Sequence, residues 1–267
     1  MSSLLMCPPD HFGVDYAINP WMADNVGAVD REAARRQWEA LAESLASAGA
    51  KIETLTPVEG LPDLPFTSNG GFVSGHHFYP SRFRHEERRP ETEVFVRWFA
   101  AHGWCIEPTV AIQEGAGDFL PWRCDGGECL FAGGGFRTSA AAHAEMAEAL
   151  DIEIVPLTLI DPRFPHLDAC FRPLSGGLLL WVPFAFDRES RERVEAHVPP
   201  PLRHSLGCCE ALCFAANGVV VGDRYFTSAA DRTTQSWLAS AGLETVVLDV
   251  SEFLKAGGGV GALVLAL

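Results

Sequence analysis

Apolar residues recur at the spacing of an amphipathic helix in four stretches of the chain. In the first stretch Asp30 is a suitable N-cap and Gly49 a stop signal, and the apolar face repeats with a period of about 3.6 residues at Ala34, Trp38, Leu41, Leu45 and Ala48. The other predicted helices cover residues 92–101, 139–150 and 231–241. Each helix leads into a short apolar segment, which predicts strands at 52–55, 105–106, 152–157 and 246–250.

Short apolar strands also precede the later helices, at 71–73, 129–132, 178–182 and 218–221. The resulting strand–strand–helix–strand unit recurs about every fifty residues, and about five copies fit the chain, which is typical of a repeat architecture. We therefore predict an α/β fold, a five-module α/β propeller with pseudo-fivefold repeats around a central pocket, as one domain over residues 1–267. The alternative is an open doubly wound sheet. It is disfavoured because the glycines Gly133, Gly134 and Gly135 do not open a helix, as the phosphate-binding turn of that fold does.

The charge balance restricts the class of ligand. The chain has 20 basic and 35 acidic residues, a formal net charge of -15. Such a charge repels nucleic acid and anionic membranes and attracts small cations. No charged start with a following apolar segment is present, and no apolar run approaches the length of a membrane span. We expect a cytoplasmic protein with neither a nucleic acid nor a membrane as partner.

The eight cysteines show no zinc-site spacing, and we expect neither a metal nor a cofactor. Most lie in apolar runs, as reduced thiols of a cytosolic protein do. Cys124 and Cys129 flank a predicted hairpin turn, where we expect two unlinked thiols. Cys208 and Cys209 are interpreted as neighbours on a strand, whose side chains would point to opposite faces.

Four polar loops interrupt apolar surroundings, and they are the candidates for chemistry. They lie at 63–71, 113–118, 137–138 and 165–168. Each loop alone has an ordinary explanation as a turn, a cap or a solvated charge. Together their carboxylates and amides favour a planar guanidinium ligand, Arg82 and Arg137 would hold an α-carboxylate, and a histidine could transfer protons.

The last stretch, residues 251–267, combines a lysine, three consecutive glycines and an apolar strand predicted at 262–267. Glycines allow the backbone to turn sharply or to approach a ligand closely. A residue at the start of this strand would then face a pocket. The ordinary alternative is a glycine turn that leads into a buried strand.

Seven segments, which together span nearly the whole chain, carry a family resemblance. They read CPPDHFGVDYAINPWM, FTSNGGFV, YPSRFRHEE, EGAGD, GGGFRTS, HLDACF and SEFLKAGGGVGALVLAL. Their order and content resemble the guanidino-group-modifying enzymes of pentein fold, which include dimethylarginine dimethylaminohydrolases, arginine deiminases and amidinotransferases. The resemblance implies a cysteine that attacks the guanidinium carbon, a histidine that protonates the departing amine, and a water that releases the product.

Carried over to this chain, the resemblance implies His166 as the acid/base. It implies Glu114 as the carboxylate that holds the guanidinium and orients the histidine. Three residues separate Glu114 from Asp118, where dimethylarginine hydrolases have two glycines, so it stays open which carboxylate takes which role.

The resemblance also implies a set of substrate contacts. It places Arg82 and Arg137 at the substrate carboxylate and Asp63 at the guanidinium. Ser68 and Asn69 replace an acidic pair of the dimethylarginine hydrolases. Asp118 and Asp168 complete the set of predicted substrate-binding residues.

Ala262 stands where the resemblance implies the catalytic cysteine, and no cysteine follows Cys213. Either the cysteine was replaced by design to trap substrate, or a natural member of the family has lost it. Val264, which stands where threonine is common, would accompany natural loss.

Three hypotheses about function follow. The first is a cysteine-dependent hydrolase of arginine or a methylarginine that acts through a covalent thiouronium intermediate, here with Ala262 at the nucleophile position. The second is a non-catalytic propeller that binds an arginine-like ligand, and the third is an amidinotransferase. In each case the expected partner is a small cationic guanidino compound, and a homodimer is usual in the family although no sequence feature requires one.

Overall fold

Five three-stranded sheets form the framework of the structure, a computed structural model that describes residues 3–124 and 127–267. In each sheet the central strand pairs antiparallel with one neighbour and parallel with the other. A helix connects the two parallel strands, since a parallel pair requires a crossover. This arrangement confirms the predicted strand–strand–helix–strand modules.

The modules follow one another along the chain, and their strands have these bounds. The strands are Ser3–Met6, Lys51–Thr54 and Leu265–Ala266 in the first module; Gly71–Ser74, His77–Pro80 and Cys105–Ile106 in the second; Phe119–Cys124, Gly127–Gly134 and Glu153–Thr158 in the third; Phe171–Leu174, Leu178–Trp181 and Arg203–Ser205 in the fourth; Val219–Val221, Arg224–Thr227 and Glu244–Val247 in the fifth. The five crossover helices are Arg31–Ser47, Glu91–Ala101, Ala140–Leu150, Arg188–His197 and Arg232–Ser240. Shorter helices cover Pro20–Ala23, Cys208–Leu212 and Ser251–Leu254.

The caps of the helices agree with the sequence analysis. The Asp30 side chain accepts hydrogen bonds from the backbone N–H groups of Glu32 and Ala33, and Asp231 does the same for Thr234. The predicted helix boundaries hold to within one or two residues. None of the helices in the described part of the chain is long and apolar enough to cross a membrane.

The two ends of the described chain meet in the first module. Leu5 pairs antiparallel with Leu265, so the last strand completes a sheet begun by the first strand. Both side chains are buried in a cluster with Phe78, Phe95 and Phe99 of the second module. The first module therefore forms only when residues more than 250 positions apart come together.

The fourth crossover helix, Arg188–His197, was not predicted from the sequence. Its sequence has almost no apolar periodicity, because Val194 and Ser190 are its buried residues. The helix is held by polar contacts instead. Asp187 caps its N-terminus by accepting from the Ser190 N–H, and the Ser190 hydroxyl accepts from the Thr158 N–H at 2.7 Å.

Two strand predictions are wrong. The predicted strand 262–267 is a 3₁₀ turn at Gly261–Leu263 followed by a two-residue strand, because the Gly261 N–H donates to the Asn217 carbonyl and turns the backbone. Cys208 and Cys209 begin a short helix and are exposed, so their side chains do not lie on opposite faces of a strand.

The hairpin predicted between Cys124 and Cys129 is described only in part. Its two strands pair antiparallel, with Trp122 opposite Cys129 and Cys124 opposite Gly127. The turn residues 125 and 126 and the side chain of Cys124 lie outside the described residues. The expectation of two unlinked thiols stays a prediction.

Leu265→Ala should destabilise the protein by about 2–5 kcal/mol, because it removes a buried side chain from the contact that closes the first module. Urea unfolding provides the measurement. Ala266→Ser, on the exposed neighbour in the same strand, is the control and should change stability by less than about 0.5 kcal/mol. Equal effects of the two substitutions would contradict this role of the last strand.

Candidate active site

Loops from all five modules meet around one cavity at the centre of the fold. Its polar lining consists of Asn19, Asp63, Asn69, Arg88, Arg137, His166, Asp168 and Asn217. Its remaining lining consists of Ile18, Met22, Phe66, Pro165, Ala169, Ala256, Gly257, Gly258 and Ala262. The predicted imidazole and the methyl group of Ala262 therefore face the same space.

His166 lies between two buried carboxylates. Its Nε2 is 3.4 Å from Oε2 of Glu114, and its Nδ1 is 3.4 Å from Oδ2 of Asp118. Asp118 is fixed in turn, because the Thr138 hydroxyl donates to it at 2.6 Å and the Leu167 N–H donates at 2.9 Å. Contacts on both ring nitrogens set the orientation of the imidazole.

Glu114 remains ionised despite complete burial. Burial raises the pKa of this carboxyl group, but the charges of Arg137, His166 and Arg88 outweigh it and leave the pKa below its usual value. Arg137 Nη1 is 3.4 Å from Oε2, and the Arg84 N–H donates to Oε1 at 3.0 Å. Glu114 thus connects the imidazole to a guanidinium that lines the cavity.

A second group of buried charges lies around Arg88. Its guanidinium donates to both carboxylate oxygens of Glu91 at 2.9 Å and to Oδ1 of Asn69 at 3.1 Å. Its Nε is also 3.8 Å from Oδ2 of Asp63, which accepts a 2.8 Å hydrogen bond from the Tyr16 hydroxyl. Burial is the main reason that the pKa of Asp63 is raised.

Two polar atoms of this group have no hydrogen-bond partner among the described residues. They are Oδ1 of Asp63 and Nδ2 of Asn69, and both belong to buried side chains that line the cavity. Buried polar atoms are almost always paired, so two unpaired atoms within one buried group are unusual for a protein interior.

Asp168 forms the floor of the cavity beside the histidine. The Ser68 hydroxyl donates to its Oδ2 at 3.3 Å. Burial raises the pKa of Asp168 to about 6, although the charges of His166 and Arg172 act in the opposite direction.

Asn217 fastens the segment that carries Ala262. Its Oδ1 accepts from the N–H groups of Gly259 and Ala262, both at 2.9 Å, and its Nδ2 donates to the Asp168 carbonyl at 3.1 Å. One buried amide therefore holds the Ala262 methyl and the Asp168 carboxyl at the same cavity. Gly258 must lack a Cβ here, because that atom would overlap the ring of Phe66.

The structure brings most of the predicted site residues together. Those that line the cavity are Asp63, Asn69, Arg137, His166, Asp168 and Ala262. Glu114 and Asp118 lie behind His166, and Asp118, predicted to bind substrate, contacts the imidazole instead. Ser68 lies behind Asp168.

Arg82 is the predicted residue that does not reach the cavity. Its backbone pairs with Gln113 in an isolated bridge, which directs the flanking Ser81 and Phe83 inward and the Arg82 side chain to solvent. Arg88 lies in the cavity in its place. One signal for Arg88 is present in the sequence, namely an acidic residue, Glu91, three positions later.

Asn217 and Tyr16 were also missed, because a lone amide or phenol in an apolar stretch has no distinguishing pattern. The part of the chain that the structure describes contains no cluster of three or more His, Cys, Asp or Glu residues suited to a metal ion.

No family model matches the chain, but sequence comparison does find relatives. Over 255 residues it is 38% identical to the N(G),N(G)-dimethylarginine dimethylaminohydrolase of Mycobacterium tuberculosis, covering 96% of this chain and 82% of that one. The chain belongs to the dimethylarginine dimethylaminohydrolase family. Over 264 residues it is also 43% identical to the bifunctional arginine dihydrolase/ornithine cyclodeaminase ArgZ of a Synechocystis strain, and it spans 37% of the length of that relative.

Solved structures agree with this assignment to the dimethylarginine dimethylaminohydrolase family. The N-terminal domain of ArgZ, as a cysteine-to-serine variant bound to substrate, matches with a TM-score of 0.96 and 42% identity over 100% of this chain and 98% of that chain. AgrE, as a cysteine-to-alanine variant with L-arginine, matches with a TM-score of 0.96 and 41% identity over 100% of this chain and 40% of that chain. A dimethylarginine dimethylaminohydrolase adduct, at 20% identity and a TM-score of 0.77, confirms the pentein fold.

Asn217→Ala should lower the free energy of unfolding by about 2–4 kcal/mol, because it leaves two buried N–H groups and one carbonyl without partners. Chemical denaturation measures the change. The control is Asn25→Ala, which removes one hydrogen bond from a half-buried amide to the Trp21 carbonyl and should cost about 1 kcal/mol or less. A loss no larger than that of the control would show that Asn217 does not fasten the segment.

Proposed function

We propose that this cavity binds an arginine-type amino acid. We further propose that the chain has the catalytic arrangement of a cysteine-dependent guanidine hydrolase, with Ala262 in the position of the nucleophile. The observation that carries the proposal is His166, held between Glu114 and Asp118 in the same cavity as the Ala262 methyl. An acid/base, a carboxylate pair and a nucleophile position are thus assembled in one place.

The charges of the cavity support an amino acid with a second cationic group. Two carboxylates, Asp63 and Asp168, line the cavity and would bind cations, and two guanidinium groups, Arg88 and Arg137, would bind an anion. Arginine carries an ammonium, a guanidinium and a carboxylate, which matches this set. The negative net charge of the protein also favours a ligand with an excess positive charge.

The pairing of these residues supports one orientation of the ligand. Asp63 lies 3.8 Å from Arg88, so a group bound there meets a carboxylate and a guanidinium together, as the ammonium and carboxylate of an amino acid would. Asp168 instead lies beside His166 and is joined through Asn217 to Ala262. We therefore assign Asp63 to the α-amino end, which differs from the guanidinium role that the family resemblance implied.

In the proposed reaction a thiolate at position 262 would attack the guanidino carbon and form a carbon–sulfur bond. His166 would donate a proton to the departing amine as the carbon–nitrogen bond breaks, and would then take a proton from water as the water attacks the same carbon. The carbon–sulfur bond would break to release a ureido product and the thiolate. Solved relatives support this route, since an ArgZ variant is covalently bound to a reaction intermediate.

With Ala262 in place, the chain should bind ligand with almost no turnover. Loss of a covalent nucleophile lowers the rate by about 10⁶-fold in other enzymes of this kind. A cysteine-to-serine variant of ArgZ was solved with substrate, and a cysteine-to-alanine variant of AgrE was solved with L-arginine. Both structures support binding of the ligand without the cysteine.

A non-catalytic arginine-binding protein is the second candidate. Ala262 is the observation that favours it, because the chain has a polar cavity but no cysteine at the position that the family resemblance assigns to the nucleophile. Amidino transfer, a homodimer, a single domain over the whole chain and a cytoplasmic location stay predictions.

Ala262→Cys should raise the rate of L-arginine or methylarginine hydrolysis by at least about 10³-fold over the starting chain, because it supplies the nucleophile beside the acid/base. Citrulline, ornithine and ammonia release are the readouts. Ala262→Ser is the matched control, since it adds a poorer nucleophile of similar size. Binding of L-arginine by calorimetry without any product from the Ala262→Cys variant would favour the non-catalytic candidate, and absence of both would contradict the proposal.

Binding of L-arginine should weaken as the pH falls through about 6. The pKa of Asp168 is raised to about 6, so below that pH the carboxyl takes up a proton and loses the charge that attracts the guanidinium. Calorimetry between pH 8 and pH 5 should show a loss of affinity of about tenfold from this group. Asp168→Asn should bind more weakly at pH 8 and show a flatter profile.

Asp249→Asn is the control for this titration. Asp249 is exposed and its pKa is lowered by the Ser251 N–H, so it stays ionised over the whole range and its variant should keep the full pH dependence. A profile for Asp168→Asn as steep as that of the starting chain would show that another group is responsible.

A further inference from the structure

A second cavity lies on the other side of the floor formed by Ser68 and Asp168. It is lined by one strand from each of the five modules, which places it on the central axis of the propeller. Its walls are largely apolar and include Phe72, Phe119 and Val264. The function proposed above gives this cavity no role.

Arg172 supplies the positive charge of this second cavity. Its guanidinium lies against the backbone of Gly261, because Nη2 is 2.7 Å from the position that a Cβ of Gly261 would take. Its Nε donates one long hydrogen bond, 3.4 Å, to the Ala216 carbonyl. Within residues 3–124 and 127–267, neither Nη atom donates a hydrogen bond and no carboxylate lies within 4.0 Å of the guanidinium.

Among the described residues, Arg172 has no carboxylate partner, whereas the other guanidinium groups near the axis do. Arg88 is paired with Glu91, and Arg137 is paired with Glu114. Arg172 acts on Asp168 across the floor, since its charge lowers the pKa of that carboxyl, but the two groups form no ion pair. A guanidinium has five N–H donors in a planar fork that fits a carboxylate, so most of the binding capacity of Arg172 is unused by the described residues.

We propose that the axial cavity is a binding site for a short-chain monocarboxylate, whose two oxygens pair with Arg172 and whose alkyl chain packs on Phe72, Phe119 and Val264. The ligand class follows from the combination of one unpaired planar cation with apolar walls. Charge-assisted pairs of this geometry are the strong ones, and apolar contact adds affinity in proportion to the length of the chain. The site shares Asp168 with the catalytic cavity, but the proposal does not depend on the function proposed for that cavity.

The test is a calorimetric titration with acetate, propionate and butyrate in a buffer that contains neither chloride nor any other carboxylate. Each added methylene should tighten binding about fourfold, so butyrate should bind about sixteenfold more tightly than acetate. Binding of butyrate should persist when L-arginine is present in excess. L-Arginine would occupy the catalytic cavity and pair with Arg88 and Arg137 there, so it would not compete for Arg172. If L-arginine itself fails to bind, the titrations of the Arg172 variants still decide this proposal.

Arg172→Gln should weaken butyrate binding at least about tenfold, and Arg172→Lys should have an intermediate effect because it keeps the charge but not the fork. The matched control is Arg224→Gln, a strand arginine that pairs with Glu244 at the surface and should leave binding unchanged. Thermal unfolding verifies that the variants fold. If Arg172→Gln does not fold, the butyrate affinity of Arg172→Lys provides the test. Absence of saturable butyrate binding, or equal binding by the Arg172 variants and the starting chain, would overturn the proposal.

Discussion

The burial of His166 between two carboxylates is the constraint on which the site depends. Isolated buried charges are costly, so each must be compensated by a partner or a hydrogen bond. Glu114 is compensated by Arg137 and by the Arg84 N–H, and Asp118 by the Thr138 hydroxyl and the Leu167 N–H. The imidazole is therefore fixed from both sides by groups that are themselves fixed, and only one edge of this network faces the cavity.

Two further buried carboxyl groups at the cavity support the proposal of a cationic ligand. Asp63 lines the cavity and has an unpaired oxygen, and Asp168 has its pKa raised mainly by burial. Both carboxyl groups gain from a positively charged ligand that restores the interactions lost on leaving water. Without such a ligand, these carboxyl groups lack part of their interaction partners, which is the expected state of an empty binding site.

Long-range contacts bring the parts of the site into place. Leu265 closes the first module against Leu5, and Asn217 of the fifth module joins the Ala262 segment to Asp168 of the fourth. Because the chain closes on itself in this way, Ala262 lies on a segment that is fastened at both ends. Its geometry is set by the ring of modules rather than by local sequence preference.

The difference between local and long-range determinants explains what the sequence could predict. Four crossover helices were found because their caps and apolar periods are local features, whereas Arg188–His197 was missed because its face is almost wholly polar. The 3₁₀ turn at Gly261–Leu263 depends on hydrogen bonds to Asn217, some 45 residues away. Arg82 and Arg88 belong to one run of charges, and their different orientations depend on the bridge at Arg82 and on the 3₁₀ turn Glu86–Arg88 that carries Arg88 inward.

The most direct test of the account is a crystal structure of this chain with L-arginine bound. The account predicts that the guanidino carbon lies beside the Ala262 methyl, with the imidazole of His166 on one side, while the α-ammonium reaches Asp63 and the α-carboxylate reaches an arginine of the cavity. A ligand bound in the reverse orientation, or bound elsewhere on the protein, would contradict it.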